Sequence, residues 1–349
     1  METINTDGMD SKIRNIYSLL ANNTKGWNVK VKPTPWRNGV SRNSYCFDIG
    51  NISEEKKLET VTSYLEKIFK IDNHIDFNRA IKQVCSGSGN EAEKITILRS
   101  SSLTCLLFFY DIEKNSIKID LGNENVKFNK AFFEVQNTVI KNPSNVDIVL
   151  ISEDKKYILF LESKFAEYYI DNGLYHISEQ YLNHKLSKNI YTNEVMKKFN
   201  FFIKTDEKNE ILKTKDDNGY ITFSVDSKNN VQKRCKSYIG GIKQLISHYI
   251  GINNFLSKKE RIIEKEIENE KESLLIPNDA KIYLGEIVFD FPNNTDMNAY
   301  LKDYEDKYKI LIEILNANKN INFLPEILHY SDFKDRLNTT IKQFYYGKN

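Results

Sequence analysis

Two short runs of β-branched and aromatic residues, Val146 to Ile151 and Tyr157 to Leu161, have the pattern of buried strands. The polar stretch Glu153 to Lys156 between them predicts a hairpin turn of four residues. In that register Ser152 pairs with Tyr157, and Asp147 falls opposite Glu162. A turn one residue longer or shorter sends Asp147 to the other face. Upstream, Phe132 to Gln136 alternates like a strand and puts Glu134 and Gln136 on one face. Downstream, Lys281 to Phe291 predicts a further strand, closed by Pro292. Apolar residues at helical spacing predict helices over Ser11 to Ala21, Ser53 to Lys70, Phe77 toward Cys85, Ser237 to Gly251, Tyr300 to Ala317 and Asp332 to Tyr345. Residues 257–272 mix charges with few apolar positions and predict a solvated helix. Pro33 to Tyr45 reads as irregular, with Trp36, Arg37 and Arg42 in a packed loop or against a nucleic-acid strand.

Composition narrows the class. The chain has 349 residues, 50 basic and 48 acidic, so any nucleic-acid binding must use a local basic surface rather than the net charge of +2. Cys46, Cys85, Cys105 and Cys235 lie 39, 20 and 130 positions apart, which matches neither zinc-ribbon spacing nor a disulfide framework. No basic and apolar leader opens the sequence, and the apolar run Leu103 to Tyr110 is too short to span a bilayer. The expectation is a cytoplasmic protein without a membrane segment. Neither an internal repeat nor a linker rich in Pro, Gly and Ser interrupts it, which favours one composite domain.

The anomaly lies at the ends of the buried runs. Asp147 enters the first, while Glu162 and Lys164 close the second on a shared strand face. Buried charge costs several kcal/mol unless paired or bound to metal. Two carboxylates and an ammonium at a sheet edge suit a hard divalent cation held through oxygen, with the lysine placed to orient or activate a water. Glu134 joins this group if its strand neighbours the Asp147 strand. Ser86 to Glu91 contains a Gly-Ser-Gly break that caps one helix and starts another, or cradles phosphate, although it lacks the lysine of a P-loop.

Asp147, followed fifteen positions later by Glu162-Ser163-Lys164, resembles the PD-(D/E)XK nuclease superfamily, with the Pro-Asp pair loosened to Pro143-Ser-Asn-Val-Asp147. The resemblance implies an α/β fold with a restriction-endonuclease-like αβββαβ core: a mixed central sheet flanked by helices, with N-terminal, inserted and C-terminal helical additions. It divides the chain into an N-terminal helical extension (1–75), a nuclease core (76–291, with a 166–232 insertion as a DNA-reading region) and C-terminal helices (292–349). It implies Asp147 and Glu162 as ligands of Mg²⁺, with Mn²⁺ as a substitute, and Lys164 as the partner of the attacking water. Glu91, on the helix before the sheet, and Glu134 compete as a further acid. Gln244, on the helix after the Glu-x-Lys strand, is placed to touch the scissile phosphate or a water, whereas His248 one turn on reads as structural. The expected activity is endonucleolytic cleavage of double-stranded DNA of the restriction or defence type, with the C-terminal helices as a homodimer face or as cover for the sheet. The alternatives are a repair or structure-specific nuclease and a non-catalytic nucleic-acid-binding module on the same fold.

Overall fold

The apolar runs around Asp147 and Glu162 form the middle of a mixed sheet in the computed structural model, which describes residues 4, 9–36, 39–50, 56–86, 94–140, 143–170, 175–215, 219–227, 238–267, 270–291, 293–316 and 321–347. In chain order the elements begin with α1 (Ser11–Asn23), the hairpin β1 (Val31–Trp36) and β2 (Gly39–Phe47), α2 (Lys57–Phe69), α3 (His74–Cys85) and α4 (Ser101–Phe109). Then come β3 (Ile117–Asp120), β4 (Asn125–Thr138), β5 (Pro143–Ser152) and β6 (Tyr157–Lys164), an antiparallel meander. The next stretch contains β7 (Tyr175–Ser178), α5 (Gln180–Asn183), α6 (Asn193–Lys198), β8 (Phe201–Ile203), β9 (Lys213–Lys215) and β10 (Ile221–Ser227). It is followed by α7 (Tyr238–Leu256), the hairpin β11 (Ile262–Ile267) and β12 (Glu270–Leu275), and β13 (Lys281–Val288). The chain continues through α8 (Thr295–Leu315), β14 (Asn322–Phe323), β15 (Leu328–His329), a 3-10 segment over Tyr330–Arg336 and α9 (Thr339–Tyr346).

The central sheet runs β14-β13-β6-β5-β4-β3, with β15 also paired to β13. β13 lies parallel to β6, so the chain must cross over between them, and α7 is the helix on that crossover. The architecture is therefore mixed α/β with helices flanking a mixed sheet. One face of β6 is fixed by Ser163, whose hydroxyl donates to Ser101 O at 3.2 Å and meets the Tyr330 hydroxyl at 2.7 Å. Glu162 and Lys164, each one residue away, point to the opposite face and meet α7, as period-2 geometry requires.

Several expectations are corrected. The predicted solvated helix over 257–272 is instead the β11–β12 hairpin, in which Ile263 and Lys265 are buried. Burial alternates along β11, with Ile263 and Lys265 inward and Ile262 and Glu264 outward, a strand period that the run of charges hides from a helical count. The Pro33 to Tyr45 loop is largely the β1–β2 hairpin, and residues 37–38 lie outside the described residues. The inserted region is not a helical addition: β7, β10 and β8, with β9 on β10, make a separate antiparallel sheet. The predicted helix over Asp332 to Tyr345 is two pieces, because Leu337 and Asn338 are extended and the Asn338 side chain caps α9. The N-terminal extension also includes a hairpin, and α1 docks on α9: Asn23 Nδ2 donates to Phe344 O at 3.1 Å, and Gln343 Nε2 donates to Asn23 O at 3.0 Å.

Candidate active site

Strand register places four carboxylates at one level of the sheet. Ile148 pairs with Leu161 and Ile151 with Ile158, the register of the four-residue turn, so the next position sets Asp147 opposite Glu162. Between β4 and β5, the pairs Phe133–Ile148 and Val135–Val146 bracket Glu134 and Asp147. Between β6 and β13, Glu162 pairs directly with Glu286. Glu134, Asp147, Glu162 and Glu286 therefore stand on four consecutive strands. At this level the β5–β6 ladder stops, and the Asp147 carboxylate itself accepts Ser163 N–H at 2.7 Å.

The meander does not deliver Glu134 by simple alternation. Its φ is +50°, in the left-handed region that a residue with a Cβ rarely adopts. Glu134 is buried and Gln136 is exposed, while the β4–β5 register runs unbroken through both positions. Gln83 on α3 braces the neighbouring residue, accepting Phe133 N–H at 2.9 Å and donating to Glu272 at 2.8 Å. Strain of this kind persists where the surroundings impose it, and it concentrates at functional sites.

Glu162 is the hub. Its Oε1 accepts from Lys164 Nζ at 2.5 Å and from Gln244 Nε2 at 2.8 Å; its Oε2 lies 2.7 Å from His248 Nε2. Lys164 Nζ also donates to Gln244 Oε1 at 2.6 Å, and His248 Nδ1 is 3.0 Å from Ser144 Oγ. Gln244 and His248 are one turn apart on α7, so both reach the same carboxylate. Glu162, Lys164 and His248 are buried, whereas Gln244 is exposed. Gln244 is therefore the member of this cluster nearest solvent.

The electrostatics are unbalanced toward negative charge. Burial would raise the Glu162 pKa, but Lys164 and His248 overcome it and hold the carboxyl at about 2. Burial opposes the charge on Lys164, yet Glu162, with Glu167, Asp147 and Glu286, keeps its pKa above the usual lysine range. Asp147 is driven well above the ordinary carboxylate range by burial, then by Glu162 and Glu134. Glu286 is fully buried, makes no hydrogen bond of good geometry through either oxygen among the described residues, and is pushed to about 7 by burial. Carboxyls raised in this way, by burial first and by neighbouring carboxylates second, mark a candidate functional site.

A hard cation fits that donor chemistry. Among the described residues no group of three or more His, Cys, Asp or Glu side chains is arranged to hold a metal ion. Mg²⁺ does not require one, because it is commonly held by one or two carboxylates, retained waters and substrate phosphate oxygens. Asp147 and Glu162 are the two carboxylates suited to it. An ionised carboxylate offers about four acceptor positions, so the three contacts on Glu162 leave one open.

Asp147, Glu162, Lys164, Glu134 and Gln244 are thus brought together, and Glu91 lies outside the described residues. The sequence pattern missed three participants. His248 sits at i+4 from Gln244, a spacing that could have indicated it. Glu286 interrupts the apolar alternation of β13, a second usable signal. Lys265 gave none, because its run read as a solvated helix; it is buried on β11, 3.4 Å from both Gln83 O and Ser86 Oγ. Burial draws its pKa down to about 8 against the pull of Glu134. No family model, no curated protein and no solved structure matches this chain significantly.

Proposed function

We propose that the chain is a Mg²⁺-dependent DNA phosphodiesterase of the PD-(D/E)XK type, most simply an endonuclease of restriction or defence character. One observation carries this: Asp147, Glu162 and Lys164 meet where β5 and β6 part, with Glu134 one strand away. The order of an initial helix, the β4-β5-β6 meander, the α7 crossover and parallel β13 supports the restriction-endonuclease-like core that the motif implies. A fold does not fix a function, so the side chains bear the weight.

The chemistry assigned to each residue follows from its surroundings. A bound cation would supply Lewis acidity toward the phosphate and lower the pKa of the attacking water. Asp147 and Glu162 hold and orient it. Lys164 is kept charged, so it acts as a donor: it orients the water and stabilises charge on the phosphate oxygens, and it does not take the water's proton. The Gln244 amide accepts from Lys164 and donates to Glu162, and its second N–H is the one available to the phosphate. His248 fixes the rotamer of Glu162 through Oε2.

The three hydrogen bonds that already occupy Glu162 also favour a second reading, a binding module in which this cluster only stiffens the sheet. Incubating purified protein with plasmid DNA in Mg²⁺ or Mn²⁺, against EDTA, separates them. Metal-dependent nicking or cutting is expected, and Asp147→Asn or Glu162→Gln should each reduce it by roughly 10²-fold or more. Inert protein, or near-normal turnover in both variants, overturns the nuclease assignment.

A further inference from the structure

A cleft of about 300 Å³ opens beside this site, between the inserted sheet and α7. Its walls come from β5 and the residues before it, from β7, β10 and α5, and from Lys243 and Ser247 of α7. The volume is at the low end of the range, about 300–1,000 Å³, that small ligands occupy. Site and cleft share Ser144, which lines the cleft and holds His248 Nδ1, while His248 holds Glu162. On α7 the two pairs alternate: Gln244 and His248 turn to the carboxylates, and Lys243 and Ser247 turn to the cleft.

The lining has a definite chemistry. It contains Lys243 and His176 and, among the described residues, no aspartate or glutamate. Lys243 is partly buried, forms no ion pair among the described residues, and has its pKa lowered by burial alone. A half-desolvated ammonium without a carboxylate favours an anion. Two aromatic rings complete the cleft. Tyr181 is fixed by a 2.5 Å hydrogen bond to Ser247, and Tyr220 is 47 % exposed where the chain enters β10. Hydroxyl, amide and imidazole groups complete the lining, with His176 Nδ1 3.2 Å from Ser224 Oγ. A cation, polar side chains and an exposed tyrosine ring in one lining match the phosphate, the base edge and the base face of a nucleotide.

We propose that this cleft holds one unstacked nucleotide of the strand next to the scissile phosphate, with its phosphate at Lys243 and its base against Tyr220. The substrate is then a single strand, or a duplex opened at that position, because a stacked and paired base cannot enter a cleft of this size. The inference rests on the nuclease assignment only for which phosphate is cut. Binding in the cleft stands or falls separately.

The test is fluorescence anisotropy in EDTA, where no cutting occurs. Short labelled single strands of DNA and of RNA, and the matching blunt DNA duplex, are titrated with wild type, Lys243→Gln and Tyr220→Ala. Both substitutions lie on partly or wholly exposed side chains, and thermal melting checks that each variant is folded. Wild type should bind a single strand more tightly than the duplex. Lys243→Gln should weaken single-strand binding and lower the salt slope by about one. Tyr220→Ala should weaken it roughly ten-fold with the slope unchanged, as loss of one stacked base does. A loss shared by DNA and RNA supports recognition of the common nucleotide chemistry; a loss on one alone supports the cleft and names the strand. Unchanged affinity in both variants, or tighter duplex binding that neither variant affects, overturns the proposal. Strand binding that depends on Lys243 in a protein that never cuts would overturn the nuclease assignment and leave the cleft intact. Cutting with variant-insensitive strand binding would do the reverse.

Discussion

Glu286 offers the most direct measurement of the charge imbalance in this sheet, through the substitution Glu286→Gln. The carboxyl faces Glu162 across the β6–β13 pair, with Lys164, Glu167 and Tyr304 as its other charged or titratable neighbours. Burial, reinforced by Glu162 and opposed by Lys164, raises its pKa from 4.5 to about 7. Below pH 4.5 the folded and unfolded chains both keep the proton, and the full contribution to stability is present. Between pH 4.5 and about 7 only the folded chain keeps it, so each unit of rising pH removes about 1.4 kcal/mol. The total over that window is about 3 kcal/mol, an upper bound because neighbouring groups relax. Glutamine has the same shape and no charge. Glu286→Gln should therefore match wild type within about 1 kcal/mol at pH 5 and exceed its stability by roughly 2–3 kcal/mol at pH 8. Urea unfolding in EDTA at the two pH values measures this, provided the slopes agree. Equal differences at pH 5 and pH 8 would refute the argument, since they would mean that Glu286 carries no excess proton when folded.

Three further outcomes test the surroundings. Lys164→Met should still shift DNA in a gel with Ca²⁺, yet lose cleavage with Mg²⁺ by roughly 10²-fold and lower folding stability by roughly 3–5 kcal/mol, because Glu162 loses its buried counter-charge. Arginine in its place should not rescue, and cutting at wild-type rate by the methionine variant would remove Lys164 from the chemistry. Glu134→Gly should leave stability within about 1 kcal/mol, since relief of the positive φ offsets the lost side chain, while raising the Mg²⁺ needed for half-maximal cleavage; an unaltered Mg²⁺ dependence would limit the site to two carboxylates. Gly285→Ala should destabilise by roughly 1–3 kcal/mol, because the added methyl would lie 2.5 Å from Leu324 Cδ1, and a neutral urea midpoint would contradict that packing.

These experiments probe a cluster that was only partly visible in the linear chain. The turn Glu153 to Lys156 and the apolar runs beside it set the β5–β6 register, and a slip of one residue would turn Asp147 to the face away from Glu162. The same local logic made Glu162 and Lys164 share a face, and the i, i+4 spacing on α7 brought Gln244 with them.

What tertiary structure alone decided lies in contacts between segments far apart in sequence. Glu134 depends on a left-handed residue that no alternation predicts, held in place by Gln83, fifty positions before Phe133. Glu286 becomes a site residue only because β13 pairs in parallel with β6, a choice made by the α7 crossover and by the packing of Leu324 against Gly285. His248 looks like any buried helical histidine until Glu162 arrives from 86 positions away. The hairpin over 262–275 was misjudged because its charges face partners on other elements: Lys265 turns to α3, and Glu272 bridges Gln83 and Lys130. Local pattern thus determined which residues share a strand or helix face, since that follows from backbone period. Which faces meet, and where buried charge accumulates, followed from strand order and crossover, which no short stretch of this chain encodes.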